Sequence, residues 1–175
     1  ACVCSQGGRV IRSILYATDL GLYASYVLQH ALAVSRSFKA DLYVVHAVEP
    51  MGLFAESVLQ TYLDEDTLDE LRRNGLGTVM ASIEQRVLEG FRDELGDGLQ
   101  DLHLIRAVRV LQGDPPTVIL EEAQKLGVDL LVVGSHSHGA DLAVPLGRTA
   151  ARIVQLSEAL VYLVPMLQHR GHGDL

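Results

Sequence analysis

Short apolar runs alternate with segments of helical period along almost the whole chain, and this alternation restricts the fold more than any other feature. Ile14-Leu-Tyr-Ala-Thr-Asp19, Asp41 to Val48, Leu104 to Val110, Leu130 to Val133 and Ala159 to Val164 have the length and apolar density of strands covered on both faces. Between them the spacing turns to three and four. Tyr23 to Lys39 places Tyr23, Val27, Ala31, Val34 and Phe38 on one helical face. Thr67 to Leu95 aligns Leu68, Leu71, Leu76, Val79, Ile83, Val87, Phe91 and Leu95, with Glu84, Arg86, Arg92, Asp93 and Glu94 largely off that stripe. Thr117 to Leu126 and Thr149 to Ser157 complete the helices. Such alternation predicts a parallel sheet with helices on both faces. Right-handed crossovers then gather every strand C-terminus on one edge, with a crevice where the strand order reverses.

Punctuation residues set the element ends. Glu49-Pro50 stops the second strand, and Gly96-Asp-Gly98 stops the long helix, whose Gly75 and Gly77 each cost about 1 kcal/mol against Ala and so bend or delay its first turns. Gly113-Asp-Pro-Pro116 is a turn handing over to a helix, with proline at the first helical positions where no N–H is needed, and Gly127 caps that helix. Met51 to Asp66 has no clean period and reads as a variable loop with one helical turn. Asp19, closing the first strand, has two readings: a ligand at the sheet edge, or an acceptor for the N–H groups that begin the next helix.

Gly134-Ser-His-Ser-His-Gly139 follows the fourth apolar run and precedes Leu146-Gly-Arg-Thr-Ala150. Backbone N–H groups of a glycine-bounded loop approach an anion without Cβ interference, and the following helix adds unpaired N–H groups and partial positive charge. His136 and His138 invite a metal reading, with His169 and His172 as further donors, but no cysteine or carboxylate joins them locally, so the loop is expected to face solvent or phosphate and to hold no metal.

Composition excludes several classes. The 175 residues suit one domain, and a hydrophobic content of 49% suits a packed core. A net charge of −8 without any run of Lys or Arg argues against nucleic acid. No apolar stretch approaches the roughly 18 to 20 residues of a membrane span, and the first residues lack the basic start and apolar core of a secretory signal, so the expectation is a cytoplasmic protein. Cys2 and Cys4 form no disulfide framework and make a poor zinc site.

The spacing Gly134, two residues, Ser137, nine residues, Gly147, Arg148 resembles the nucleotide loop of the universal stress protein family, which reads Gly, two residues, Gly, nine residues, Gly, then Ser or Thr. Ser137 stands for the second glycine and Arg148 for the hydroxyl residue, with Thr149 one place later. Ile14-Leu-Tyr-Ala-Thr-Asp19, Ala40-Asp-Leu-Tyr-Val-Val-His46, Gly113-Asp-Pro-Pro-Thr-Val-Ile119 and Gly127-Val-Asp-Leu-Leu-Val-Val-Gly134 extend the likeness over about Arg12 to Pro165. The resemblance implies a Rossmann-like (adenine nucleotide alpha hydrolase-like) three-layer sandwich, its five-stranded parallel sheet in the order 3-2-1-4-5. It divides the chain into a flexible N-terminal tail, 1–11, a stress protein domain, 12–166, and a C-terminal tail, 167–175.

By the same resemblance Asp19, beside Ala17 and Thr18, recognises the nucleoside, Ala47 lines the adenine pocket, Val133 and Gly134 flank the base or ribose, and Ser137, His138, Gly147, Arg148 and Thr149 meet the phosphates. An aspartate can accept two bonds from ribose hydroxyls, and a small apolar residue leaves room for a flat base. Arg148 either clamps a phosphate with its planar fork or fills the pocket itself.

The implied protein is a cytoplasmic stress-response regulator that binds ATP or AMP, with Mg²⁺ accompanying ATP and no permanent cofactor. It is a homodimer through Ala159 to Val164, an apolar edge strand. It is not an enzyme beyond slow ATP hydrolysis, since the glycine loop has no lysine and Thr18-Asp-Leu-Gly21 lacks the His-rich signature of the related nucleotidyl-transfer enzymes. The alternatives are a homodimeric interaction module that has lost its nucleotide, and an enzyme acting on a small phosphorylated metabolite in the same crevice.

Overall fold

The computed structural model describes residues 10–21, 23–49, 64–66, 76–95, 101–136 and 145–166, with side chains at 84–93 only within the helix 76–95. The expectations for Met51 to Leu63, Thr67 to Gly75, Gly96 to Gly98, Ser137 to Gly139 and the chain ends beyond 10 and 166 lie outside those residues.

Strands β1 (Ser13–Ala17), β2 (Asp41–Val48), β3 (Ile105–Gln112), β4 (Leu130–Gly134) and β5 (Leu160–Val164) form one parallel sheet in the order β3-β2-β1-β4-β5. Helices α1 (Ala24–Phe38), α2 (Leu76–Leu95), α3 (Pro115–Leu126) and α4 (Arg148–Leu156) connect them. The side-chain period of two divides each strand between two cores. Ile14, Tyr16, Leu42, Val44, Leu130 and Val132 pack with Val27, Leu28, Ala31, Val87 and Phe91 on the α1–α2 face. Leu15, Val45, Leu131 and Val133 pack with Ile119, Ala123 and Ile153 on the α3–α4 face. The three central strands are therefore apolar at consecutive positions because both their faces are covered.

Several boundaries differ from the sequence reading. The first strand ends at Ala17, not Asp19, although the Thr18 N–H still donates to the Val45 carbonyl at 2.9 Å. β3 covers Ile105 to Gln112, two residues beyond the expected end, because it stays in register with β2 as far as Val48. α3 begins at Pro115, two residues before Thr117, since two prolines with φ already fixed near the helical value occupy its first positions. α4 starts and ends one residue earlier than expected, and β5 starts one residue later. Gly127 closes α3 in the left-handed conformation, as expected of a C-terminal glycine.

The buried stripe of α1 is rotated from the one the spacing suggested. Ala24, Val27, Leu28, Ala31, Leu32 and Ser35 are buried, whereas Tyr23 and Phe38 are exposed. Both alternatives keep helical spacing; Leu28 and Leu32 point into the core over β1 and β4, with Val34 partly packed at its margin. Glu84 also behaves differently from an exposed helix residue: its Oε1 accepts the outward-facing Val110 N–H of edge strand β3 at 3.0 Å. Among the described residues no helix is long and apolar enough to cross a membrane.

Candidate functional site

The strand order reverses between β1 and β4, so the connections leaving their C-terminal ends diverge to opposite faces and open a crevice. A cavity of about 280 Å³ occupies it. Ala17, Thr18 and Asp19 line it from the end of β1, His46, Ala47 and Glu49 from β2, and Val133, Gly134, Ser135 and His136 from β4. Pro115 and Ile119 of α3, and Gly147, Thr149 and Ala150 at the start of α4, form the opposite wall.

Local hydrogen bonds shape the loop after β1. The Thr18 hydroxyl accepts the Leu20 N–H at 3.1 Å, and Asp19 Oδ1 accepts the Gly21 N–H at 2.9 Å. These two side-chain turns hold Leu20 at φ 58, a left-handed conformation unfavourable for a residue with a Cβ. Beneath the loop the buried Tyr16 hydroxyl donates to the Ala24 carbonyl at 2.8 Å, fixing the start of α1 to β1. From the side, His46 Nδ1 donates to the Thr18 carbonyl at 2.9 Å. A carbonyl only accepts, so that nitrogen carries a proton. Asp19 therefore stands on a loop tied at three points. It does not cap α1, whose N-cap residue is Tyr23 without a side-chain bond.

A second hub lies after β4. Ser135 is buried, and its N–H donates to the Val164 carbonyl while its own carbonyl accepts the Gly147 N–H at 2.8 Å. Its hydroxyl accepts the Met166 N–H at 3.0 Å and lies 2.9 Å from His136 Nδ1. One residue thus joins the ends of β4 and β5 to the N-terminus of α4. Gly134 is small for a packing reason: an added Cβ would lie 3.0 Å from Met166 Cε and 3.5 Å from Val27 Cγ2. At the head of α4 the first-turn N–H groups have no carbonyl within the helix, so this wall presents donors and partial positive charge.

Of the residues singled out in the sequence, Ala17, Thr18, Asp19, Ala47, Val133, Gly134, Gly147 and Thr149 line this one cavity. Ser137 and His138 lie outside the described residues. Arg148 neither lines nor fills it: its guanidinium donates from Nη2 to Asp114 Oδ1 at 2.8 Å, 34 residues away in sequence. Sequence reasoning missed Tyr16, Val27, Glu49, Pro115, Ile119, Ser135, Ala150 and Met166 as lining residues. For Ser135 and Pro115 a signal existed, since each adjoins a glycine turn at the ligand edge; for Met166, beyond β5, none did.

The model of the Universal stress protein family matches residues 11–165. The chain belongs to the universal stress protein family. Solved structures give the same fold. Hypothetical protein MJ0577 superposes with a TM-score of 0.63 at 20% identity, over 91% of this chain and 99% of that one. Universal stress protein UspA from Lactobacillus plantarum gives 0.59 at 18% identity, over 88% and 97%. A universal stress protein in complex with cAMP gives 0.56 at 18% identity, over 89% and 97%. Curated proteins gave no match. For this universal stress protein the likenesses establish the doubly wound sheet, and the cavity at its switch point is where such sheets take ligands.

Proposed function

We propose that this universal stress protein is a cytoplasmic stress-response regulator that binds an adenine nucleotide, ATP or AMP, between β1 and β4 and acts as a homodimer. The carrying observation is the convergence on one cavity of Asp19, the small apolar wall of Ala17, Ala47 and Val133, and the donor-rich start of α4. A carboxylate can hold two ribose hydroxyls, the small wall admits a flat base, and unpaired N–H groups suit a phosphate, with Mg²⁺ accompanying a triphosphate. The structure of a family member in complex with cAMP supports an adenine ligand. Ser135, the hydroxyl beside a histidine here, is held between Met166 and His136 in a structural tie, which favours binding over covalent turnover and leaves slow hydrolysis at most.

The reading is tested by chromatography of nucleotide released from the purified protein and by thermal-shift titration with ATP, AMP and cyclic AMP plus Mg²⁺. Asp19→Ala is expected to weaken binding by roughly tenfold to a hundredfold, the value of charge-assisted bonds worth about 1.5–3 kcal/mol. No nucleotide in the preparation and no shift at millimolar ligand would sink it and leave the ligand-free interaction module.

Dimerisation rests on β5. Its sequence, Leu160-Val-Tyr-Leu-Val164, carries no charge, no strand among the described residues pairs with its outer edge, and Leu160 and Leu163 are 57% and 36% exposed. Sedimentation is expected to show a dimer at micromolar concentration and a monomer for Leu160→Lys combined with Leu163→Lys. A monomeric unsubstituted protein would remove the dimer from the proposal.

A further inference from the structure

The cavity is short of positive charge. Its described lining includes the carboxylates of Asp19 and Glu49 and no Lys or Arg, and the sequence from Gly134 to Gly147 adds Asp141 and likewise no Lys or Arg. The cation adjoining this wall is Arg148, the first residue of α4, between the lining residues Gly147 and Thr149. Its guanidinium points to Asp114, the N-cap residue of α3, which precedes the lining residue Pro115. Asp114 is itself fixed, because its other oxygen accepts the Thr117 hydroxyl at 2.8 Å. The pair therefore links the two helix N-termini that border the cavity.

We propose that the Asp114–Arg148 pair is a charge latch that sets which ligand the cavity accepts. Closed, it keeps the guanidinium on a protein carboxylate, and the site takes a nucleoside or a ligand of low negative charge. A polyphosphate engages Arg148 only by displacing Asp114. The pair is exposed, at 70% for the Arg148 side chain and 44% for Asp114, so water and salt weaken it. A polyphosphate offers the planar fork several oxygens at once and can outcompete a single carboxylate. The Thr117 hydroxyl, and then the Arg148 guanidinium, lower the Asp114 carboxyl from its usual range, which favours the charged form of the pair.

The latch rests on the nucleotide reading of the cavity for its ligand, but inorganic tripolyphosphate probes it alone. Titration calorimetry on the full chain would compare the unsubstituted protein with Asp114→Asn, Arg148→Ser and the double variant, using tripolyphosphate in one arm and adenosine in the other. Asparagine is as good an N-cap residue as aspartate, so α3 keeps its start. Asp114→Asn is expected to bind tripolyphosphate about tenfold more tightly, and the double variant to lose that gain. Equal affinity in Asp114→Asn overturns the latch, and so does a gain that persists in the double variant, since removal of one negative charge would then account for it. Adenosine affinity equal in all four proteins supports it. Adenosine failing to bind any of them removes the nucleotide reading, while the tripolyphosphate arm still decides the latch.

Discussion

Ile153→Ala is expected to lower stability by about 3 kcal/mol and to weaken ligand binding at temperatures where the protein is still folded. The first part follows from burial: Ile153 is 0% exposed, packed in the cluster that includes Leu15, Leu131 and Val133, and truncation of such a side chain costs about 2–5 kcal/mol. The second follows from how little holds α4. Only Ala150 and Ile153 of that helix are buried, and its first residues supply Gly147, Thr149 and Ala150 to the cavity wall. Loosening the anchor displaces the donors. Chemical denaturation and nucleotide titration on the same samples check both parts. Phe91→Ala, in the core on the other face of the sheet, should cost as much stability and leave affinity unchanged; equal losses of affinity in both variants would show that α4 has no special part.

Gly113→Ala should cost about 3 kcal/mol. Gly113 lies at φ 151, where a side chain adds roughly 1–3 kcal/mol of strain, and its Cβ would fall 2.5 Å from Val118 Cγ2. Overpacking of that kind adds about 1–3 kcal/mol. The turn cannot relax freely, because the Gly113 N–H donates to the Val48 carbonyl at 2.9 Å and Asp114 starts α3 directly after it. Denaturant midpoints should show Gly113→Ala/Val118→Ala recovering only the steric share relative to Val118→Ala. Gly127→Ala, at φ 62 with nothing within 4 Å of an added Cβ, is expected to cost less, because the left-handed region is milder for a side chain and no steric share is added. A Gly113→Ala loss that is just as large in the Val118→Ala background would refute the steric account.

The elements were legible where the information is local. β2 runs from Asp41 to Val48 as the apolar run does, because both faces of that strand are covered and nothing interrupts it before Glu49. The strand-order reversal and the meeting of Asp19, Ala47 and Gly134 at one edge follow from alternation and handedness, with the order itself implied by the family resemblance. Contacts between distant elements were not legible. Nothing near Arg148 in sequence announces Asp114, and nothing near Glu84 announces Val110. The face of α1 was misread for a related reason: helical spacing fixes the repeat but not its rotation, which depends on the strands beneath. Ser135 looked like one more small loop residue, and its three backbone ties emerge only once β5 and α4 lie on either side of it.

The two edges of the sheet are unequal. At β3 the Glu84 carboxylate occupies the Val110 N–H, and the strand carries Arg106 and Arg109. At β5 there is no charged residue, and two leucines face outward. A sheet open at both ends can add copies without limit, as fibres do, whereas one open at a single end can grow by one step only. Two copies joined through β5 would leave a β3 at each extremity, so the contact that starts the assembly also terminates it.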